Sequence, residues 1–147
     1  MKKTIAFGCD HGGFDYKKDV IDRLISKGYT VIDCGTDSNA SVNYPVFADK
    51  VCNEITSGNA DIGILICGTG IGMSMAANKH KGIRAACCEN TFSARMTRMH
   101  NDANVLVMPG RYISQEVAAS IMDEFFNTEF EGGRHIRRVE KIAIPNT

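Results

Sequence analysis

The sequence has no excess of charge of either sign. It contains 17 Lys and Arg residues and 17 Asp and Glu residues, so its formal net charge at pH 7 is zero. A protein dedicated to binding nucleic acid usually carries a basic excess. The balance therefore argues against nucleic acid as a partner, although it is compatible with a local basic patch.

Long apolar runs are also missing. No stretch is long and apolar enough to cross a bilayer, and none near the amino terminus has the pattern of a secretory signal. We therefore expect a cytoplasmic protein with no membrane partner. Internal repeats, linkers and low-complexity segments are absent as well, and 147 residues suffice for one domain with a sizeable core. We expect a single domain over residues 1–147.

The six cysteines lack the spacing of a metal or redox motif. There is no C-x-x-C pair, and no histidine stands at zinc-finger spacing from a cysteine. Without a secretory signal we expect reduced thiols, most of them small buried side chains. Four of them fall at the carboxyl ends of predicted strands, the edge where open α/β sheets bind ligands: Cys9, Cys34, Cys67 and Cys87.

Strand and helix patterns alternate along the chain. Short apolar segments predict β-strands at residues 4–9, 30–34, 62–66, 83–87 and 105–108. Helical spacing of apolar residues predicts six helices. The first starts at residue 14 and stops at Gly28, and the fifth starts near residue 114; the others are at 46–56, 73–79, 91–99 and 134–141. This alternation predicts an α/β fold, a Rossmann-like three-layer αβα sandwich with a parallel sheet of about five strands.

The segment at residues 67–72, hereafter the cradle, joins the third predicted strand to a short helix. Its sequence, CGTGIG, combines three glycines with a thiol and a hydroxyl. Glycines let a ligand approach the backbone, and a helix start leaves N–H groups unpaired, so a small anion fits here. The same features favour the thiolate form of Cys67, although buried packing is the ordinary role of a cysteine.

Nucleotide-binding loops of known type do not match the cradle. A dinucleotide fingerprint counted from Gly68 needs glycine at position 73, where the sequence has Met73. A phosphate-binding loop of the G-x-x-x-x-G-K-[ST] type needs a lysine directly after the last glycine, and none is present. A glycine-rich turn without a ligand remains the alternative to an anion site.

Two histidine clusters are candidates for proton transfer. Asp10 and His11 end the first strand, on the same sheet edge as the cradle. His100, Asn101 and Asp102 follow the fourth helix, where they could form a helix cap and turn or supply an acid–base group.

Arginines near the carboxyl terminus are candidates for binding phosphate. Arg134 and Arg138 are neighbours on one helix face and can converge on one anion, and Arg111 follows the fifth strand. A solvated basic face is the alternative. The residues together indicate proton transfer on a small phosphorylated compound, without a metal or redox cofactor.

Eight motifs resemble the type B ribose-5-phosphate isomerase family, in order and nearly end to end. They are GCDHGGF at 8–14, DCGT at 33–36, YP at 44–45, CGTGIG at 67–72, AANK at 76–79, GIRA at 82–85, HNDANVL at 100–106 and EGGRH at 131–135. The resemblance implies interconversion of D-ribose 5-phosphate and D-ribulose 5-phosphate through an enediolate, in the pentose phosphate pathway. Galactose-6-phosphate and allose-6-phosphate isomerases belong to the same family, so a hexose 6-phosphate is the alternative substrate. A non-catalytic sugar-phosphate-binding module is a further alternative.

The resemblance also implies catalytic roles. Cys67 matches the base that moves a proton between C1 and C2, and His100 matches the group that opens the furanose ring and donates a proton, near Asp10. Thr69 would bind the substrate or relay a proton, and the amides of the cradle would stabilise the enediolate. Another branch of the family uses a glutamate at the position of Met73, which cannot accept a proton. No metal and no cofactor are implied.

Binding residues and assembly follow from the same resemblance. It implies phosphate binding by His11, Arg111, Arg134 and Arg138. It implies substrate binding by Asp10, His11, Tyr44, Gly68, Thr69, Gly70, Ile71, Gly72 and Asn101. The family is dimeric with shared sites, so the segment at about 132–142 would serve the partner's site; further pairing of dimers is left open.

Overall fold

A five-stranded parallel sheet forms the centre of the molecule. The computed structural model describes residues 3–143. The strands are β1 (Thr4–Cys9), β2 (Thr30–Asp33), β3 (Ile62–Cys67), β4 (Ala85–Cys87) and β5 (Val105–Pro109). Their order across the sheet is β2-β1-β3-β5-β4, and every adjacent pair is parallel.

Helices cover both faces of this sheet. They are α1 (Phe14–Ser26), α2 (Tyr44–Thr56), α3 (Ile71–Ala77), α4 (Thr91–Asn101), α5 (Gln115–Asn127) and α6 (Arg134–Ile142). Buried residues of α1, α4 and α5 form one core cluster with the sheet, and those of α2 and α3 form another on the opposite face. The predicted three-layer αβα sandwich is therefore confirmed. The sixth helix, α6, packs on the outside of α4.

The central strand explains why both faces need a helical layer. All six residues of β3 are buried, because its alternating side chains enter the two core clusters in turn. Gly63 lets α2 approach the sheet closely: a Cβ atom there would lie 2.7 Å from Cγ1 of Val51. The continuous apolar pattern of this strand thus reflects burial on two sides.

Several predicted boundaries were wrong by two residues. Helix α3 begins at Ile71 rather than at residue 73, and α2 begins at Tyr44 with Pro45 in its first turn, a position that does not need an N–H donor. Strand β4 begins at Ala85 rather than at residue 83. On α5, the apolar side chain of Val117 is 40% exposed, although helical spacing relates it to the buried Ile121.

The end of α4 differs from the prediction in a way that affects the site. His100 and Asn101 are the last two residues of the helix and do not follow it. Helix α4 ends only where Asp102 adopts a left-handed conformation, φ 46°. The helix starts beyond the carboxyl end of β4, and its 11 residues run back about 16 Å to the start of β5. His100 therefore lies at the amino edge of the sheet.

Within residues 3–143, no helix is long and apolar enough to cross a membrane.

Candidate active site

The cradle connects the buried end of β3 to the first turn of α3. Gly70 has a left-handed backbone, φ 76°, and its N–H donates a hydrogen bond to Sγ of Cys67 at 3.2 Å. The N–H of Ile71 donates to Oγ1 of Thr69, also at 3.2 Å. Cys67 is only 4% exposed. The turn therefore directs the Gly70 amide at a thiol that solvent barely reaches.

The loop after β1 lies directly against the cradle. A Cβ atom on Gly12 would lie 2.7 Å from the backbone nitrogen of Gly68, so glycine is needed for this contact. The same Gly12 donates its N–H to a carboxylate oxygen of Asp10 at 2.8 Å. Asp10 is 5% exposed. The loop thus fixes a buried carboxylate beside the glycine turn.

His11 has a defined hydrogen-bonding role in this loop. Its Nδ1 accepts a hydrogen bond from the N–H of Val42 at 3.2 Å and lies 4.0 Å from the Asp10 carboxylate. A ring nitrogen that accepts from an amide carries no proton. The proton of a neutral ring is therefore on Nε2, which can donate to an anion.

The segment after β5 brings a cation to the cradle. Gly110 donates its N–H to the carbonyl of Cys67 at 2.8 Å, and Arg111 donates its N–H to the carbonyl of Gly68 at 3.1 Å. A Cβ atom on Gly68 would lie 3.5 Å from Nε and Nη1 of Arg111. The guanidinium group therefore lies alongside the glycine turn.

Tyr44, at the start of α2, covers the other side of the cradle. A Cβ atom on Gly72 would lie 2.5 Å from Cζ and 2.7 Å from the hydroxyl oxygen of Tyr44. Tyr44 and Ile71 are 39% and 51% exposed, so apolar surface lies beside the cradle. The structure thus brings together, from four separate segments, Asp10, His11, Tyr44, the cradle and Arg111.

The remaining predicted site residues lie elsewhere in the chain. His100 and Asn101 end α4 at the amino edge of the sheet, whereas Asp10 follows β1 at the carboxyl edge. Within a single chain His100 is therefore remote from Asp10, and the expectation that the two work together stays a prediction that needs a second copy of the chain. Arg134 and Arg138 are exposed on α6, which packs against α4 rather than against the cradle.

Cys87 is a cradle contact whose role the sequence left open. Its thiol donates to the carbonyl of Thr69 at 3.6 Å, and its Sγ lies where a Cβ atom on Gly70 would approach to 2.8 Å. Burial, with smaller contributions from Glu89 and Cys67, raises the pKa of Cys87. The only advance indication of this contact was the position of Cys87 at a strand end.

Three other cysteines have the expected packing role. Burial raises the pKa of the Cys9, Cys52 and Cys88 thiols to about 12. Each side chain belongs to one of the two core clusters. These thiols stay protonated at neutral pH and act as small apolar side chains.

His135 and Glu131 accompany His100, and sequence reasoning gave neither a role. The rings of His100 and His135 stack with centroids 4.4 Å apart. His135 is 3% exposed, and its pKa is lowered by burial and by the positive charges of His100, Arg134 and Arg138. The i,i+4 spacing of Glu131 and His135 was the feature of the sequence that could have predicted their contact.

Comparisons with known proteins agree with this architecture over nearly the whole chain. The family model described as Ribose/Galactose Isomerase matches residues 5–142. Ribose-5-phosphate isomerase B of Escherichia coli K12 is 48% identical over 141 residues, which cover 96% of this chain and 95% of that protein. A crystal structure of a ribose 5-phosphate isomerase from Thermotoga maritima superimposes with a TM-score of 0.94 at 51% identity, covering 97% of this chain and 99% of the other. A Clostridium thermocellum ribose-5-phosphate isomerase B superimposes with a TM-score of 0.93 at 51% identity, covering 95% and 94%.

Proposed function

The chain belongs to the ribose/galactose isomerase family, and we propose that it interconverts D-ribose 5-phosphate and D-ribulose 5-phosphate. It is an aldose–ketose isomerase. The observation that carries the proposal is the geometry of the cradle. There the Cys67 sulfur accepts a hydrogen bond from the Gly70 N–H at 3.2 Å, beside the buried Asp10. A thiol, a carboxylate and a cation around one glycine turn suit proton transfer next to a carbonyl group.

Cys67 is the proposed base. Its thiolate removes the proton from C2 of the open-chain aldose and returns it to C1, while a hydroxyl proton moves from O2 to O1. The intermediate is an enediolate, whose negative oxygen needs hydrogen-bond donors. Amides of the cradle would supply such donors, and removing one such donor in other enzymes costs about 2.7–4 kcal/mol of transition-state stabilisation. Thr69, whose Oγ1 accepts the Ile71 N–H, would bind the substrate or relay the hydroxyl proton.

Phosphate binding is assigned to both ends of the site. His11 can donate from Nε2, and Arg111 offers a fork of N–H groups beside Gly68. Arg134 and Arg138 are one helical turn apart on α6, and from a second copy of the chain they would hold the same phosphate from the opposite side. Arginine suits this role because its planar guanidinium group binds phosphate in two places at once.

A second copy of the chain would complete the site. His100 and Asn101 lie at the opposite sheet edge from the cradle, so one chain cannot supply both. We assign His100 to opening the furanose ring and Asn101 to binding the substrate, in the site of the partner subunit. The α6 segment at about 132–142 would accompany them. Apolar side chains that are 39–64% exposed near the cradle offer a surface for that subunit: Tyr44, Val46, Ile71 and Met75.

The proposed reaction uses acid–base groups of the protein alone. A proton shuttled between adjacent carbons requires neither an oxidant nor a reductant. We propose that the enzyme needs no metal for this proton transfer. We also propose that it works in the cytoplasm on a phosphorylated sugar, with no nucleic-acid or membrane partner.

A hexose 6-phosphate is the second candidate substrate, because the matching family model covers both ribose and galactose isomerases. Steady-state assays of ribose 5-phosphate beside allose 6-phosphate and galactose 6-phosphate distinguish the two. We expect the highest kcat/KM for ribose 5-phosphate. A higher value for either hexose phosphate would transfer the assignment to that sugar.

Replacement of the proposed base completes this test. We expect Cys67→Ala to lower kcat by about 10²- to 10⁴-fold, the usual contribution of a general base, without changing Tm by more than a few degrees. Cys34→Ala is the matched control, since Cys34 is a half-buried thiol after β2, which β1 separates from β3 and the cradle. Near-normal turnover by Cys67→Ala would reject this thiol as the base.

A further inference from the structure

Two imidazoles and one carboxylate converge where α6 meets the end of α4. Nε2 of His100 lies 3.9 Å from one carboxylate oxygen of Glu131, and Nε2 of His135 lies 3.8 Å from the other. The three groups offer one donor atom each, all within 4.8 Å of one another. Both rings therefore direct the same nitrogen toward one carboxylate.

His135 gives the cluster an unsatisfied polar atom. The residue is 3% exposed, and its Nε2 has no hydrogen-bond partner among residues 3–143. A buried polar group without a partner costs about 1–3 kcal/mol. A group that binds this nitrogen would therefore be held more strongly than one at an exposed histidine.

We propose that His100, Glu131 and His135 form a binding site for a divalent transition-metal ion such as Zn²⁺, at the opposite sheet edge from the cradle of the same chain. Two imidazoles and a carboxylate are a known ligand set for zinc with a fourth position left open. Donor atoms bound at 2.0–2.1 Å in a tetrahedral site stand about 3.3 Å apart, so the present separations must close by about 0.5–1.5 Å.

The exposure of the two rings indicates how the site would close. His135 is fixed by burial, whereas the side chain of His100 is 38% exposed and can tilt out of the stack. The Glu131 side chain, 46% exposed, can follow. Arg134 and Arg138 lie close enough to affect the charge of His135 and oppose a cation, while the Glu131 carboxylate offsets that repulsion.

Metal binding would inhibit the enzyme, and this consequence rests on the proposed function. The ring-opening role needs a free ring nitrogen on His100 to exchange a proton. A metal ion on Nε2 occupies the lone pair of that nitrogen and leaves the one ring proton on Nδ1, so the ring can no longer accept a proton. Binding itself, by contrast, depends only on the three side chains.

The binding test uses Co²⁺ as a spectroscopic substitute for Zn²⁺ on the full chain. We expect visible d–d bands without a strong near-ultraviolet thiolate charge-transfer band, and loss of the bands when Zn²⁺ is added. Glu131→Gln should weaken Co²⁺ binding at least about tenfold, the smallest effect seen even for outer-shell partners. Glu129→Gln, an exposed carboxylate two residues away, is the control and should bind like wild type. The proposal would be overturned if wild type bound no Co²⁺. It would also be overturned by a thiolate charge-transfer band together with an unchanged Co²⁺ affinity of Glu131→Gln.

The activity arm separates this proposal from the proposed function. We expect the same Zn²⁺ concentration to inhibit wild type and Glu129→Gln. Inhibition of Glu131→Gln should need a Zn²⁺ concentration at least about tenfold higher. Adding EDTA should restore the activity of all three proteins. If Co²⁺ binds through Glu131 and activity is unaffected, the metal site stands and the ring-opening role of His100 is rejected. Equal inhibition of all three proteins would place the inhibitory metal elsewhere and reject the inhibition inferred here.

Discussion

Gly70 sets the direction of the amide that reaches the Cys67 sulfur. Its φ of 76° lies in the left-handed region, which other residues rarely adopt. A Cβ atom there would also lie 2.8 Å from Sγ of Cys87 and 3.3 Å from the carbonyl carbon of Met108. Conformation and crowding therefore both require glycine at this position.

These two requirements can be separated by comparing Gly70→Ala with Gly82→Ala. Gly82 has φ 83° and no atom within 4 Å of a Cβ position, so it reports the conformational cost alone. That cost is about 1–2 kcal/mol. Crowding adds about 1–3 kcal/mol at position 70. Urea denaturation should show the larger loss in unfolding free energy for Gly70→Ala, with a lower kcat only in that variant. Equal losses would mean that Cys87 and Met108 move aside freely.

The residues around the cradle were predictable because their positions follow from local rules. A buried strand, a glycine turn and a helix are adjacent in sequence, and the carboxyl ends of parallel strands share one edge. This rule brings Asp10, Cys67 and Arg111 together without knowledge of packing. The contact of Cys87 with Gly70 and the stacking of His135 on His100 depend on side-chain packing between elements, which no sequence spacing shows.

At the scale of elements, the end of α4 shows why helix boundaries are hard to predict. The sequence has no glycine to stop the helix after Met99, and Asp102 provides the left-handed turn instead. Arg98 holds that turn, because its Nη1 donates to the Asp102 carboxylate at 2.9 Å and to the carbonyl of Ala103 at 2.7 Å. This arginine lies only four residues before Asp102, so the cap is local, but it lacks the glycine that usually marks the end of a helix.

Helices α1 and α5 are joined by one carboxylate with two cations. Asp123 accepts from Arg23 and, at 2.6 Å, from Lys27. Partial burial alone would raise the pKa of Asp123, but the bonds and charges of Lys27 and Arg23 outweigh it and lower the pKa below the usual 3.8. The folded state therefore releases this proton more readily than the unfolded chain.

The pH dependence of stability tests this link. A carboxyl group with a lowered folded pKa stabilises the protein above its unfolded pKa of about 3.9 and loses that effect as the pH falls through the folded value. Because the pair is partly exposed, we expect Asp123→Asn to lose about 0.5–1 kcal/mol at pH 7 and much less near pH 3. Asp19→Asn, an exposed carboxylate on α1, is the control and should change little at either pH. A loss for Asp123→Asn that is the same at both pH values would show that packing, not charge, joins the helices.

At the scale of the whole molecule, strand order decides which residues can meet. Each helix that follows a strand returns the chain to the amino edge of the sheet. Residues at the ends of these helices therefore lie at the amino edge, whereas residues at the ends of strands lie at the carboxyl edge. The sequence motifs containing Cys67 and His100 are equally clear, but nothing in their spacing shows this separation. It is the topology that makes a second copy necessary for the proposed site.

Subunit mixing tests the shared site directly. Cys67→Ala and His100→Asn should each be nearly inactive on ribose 5-phosphate. In a mixed dimer, one site would contain both substitutions and the other would contain neither. Random pairing makes half of the dimers mixed, so subunit exchange should restore about a quarter of wild-type activity.

The matched control replaces two groups of the same cradle. Cys67→Ala mixed with Thr69→Ala should give no recovery, because every site then receives its whole cradle from one chain and lacks one of the two groups. Recovery in the first mixture but not in the second can arise only if the thiol and the imidazole of one site belong to different chains. If the two groups acted within one chain, every site in either mixture would carry a substitution, and both mixtures would stay at the activity of the single variants.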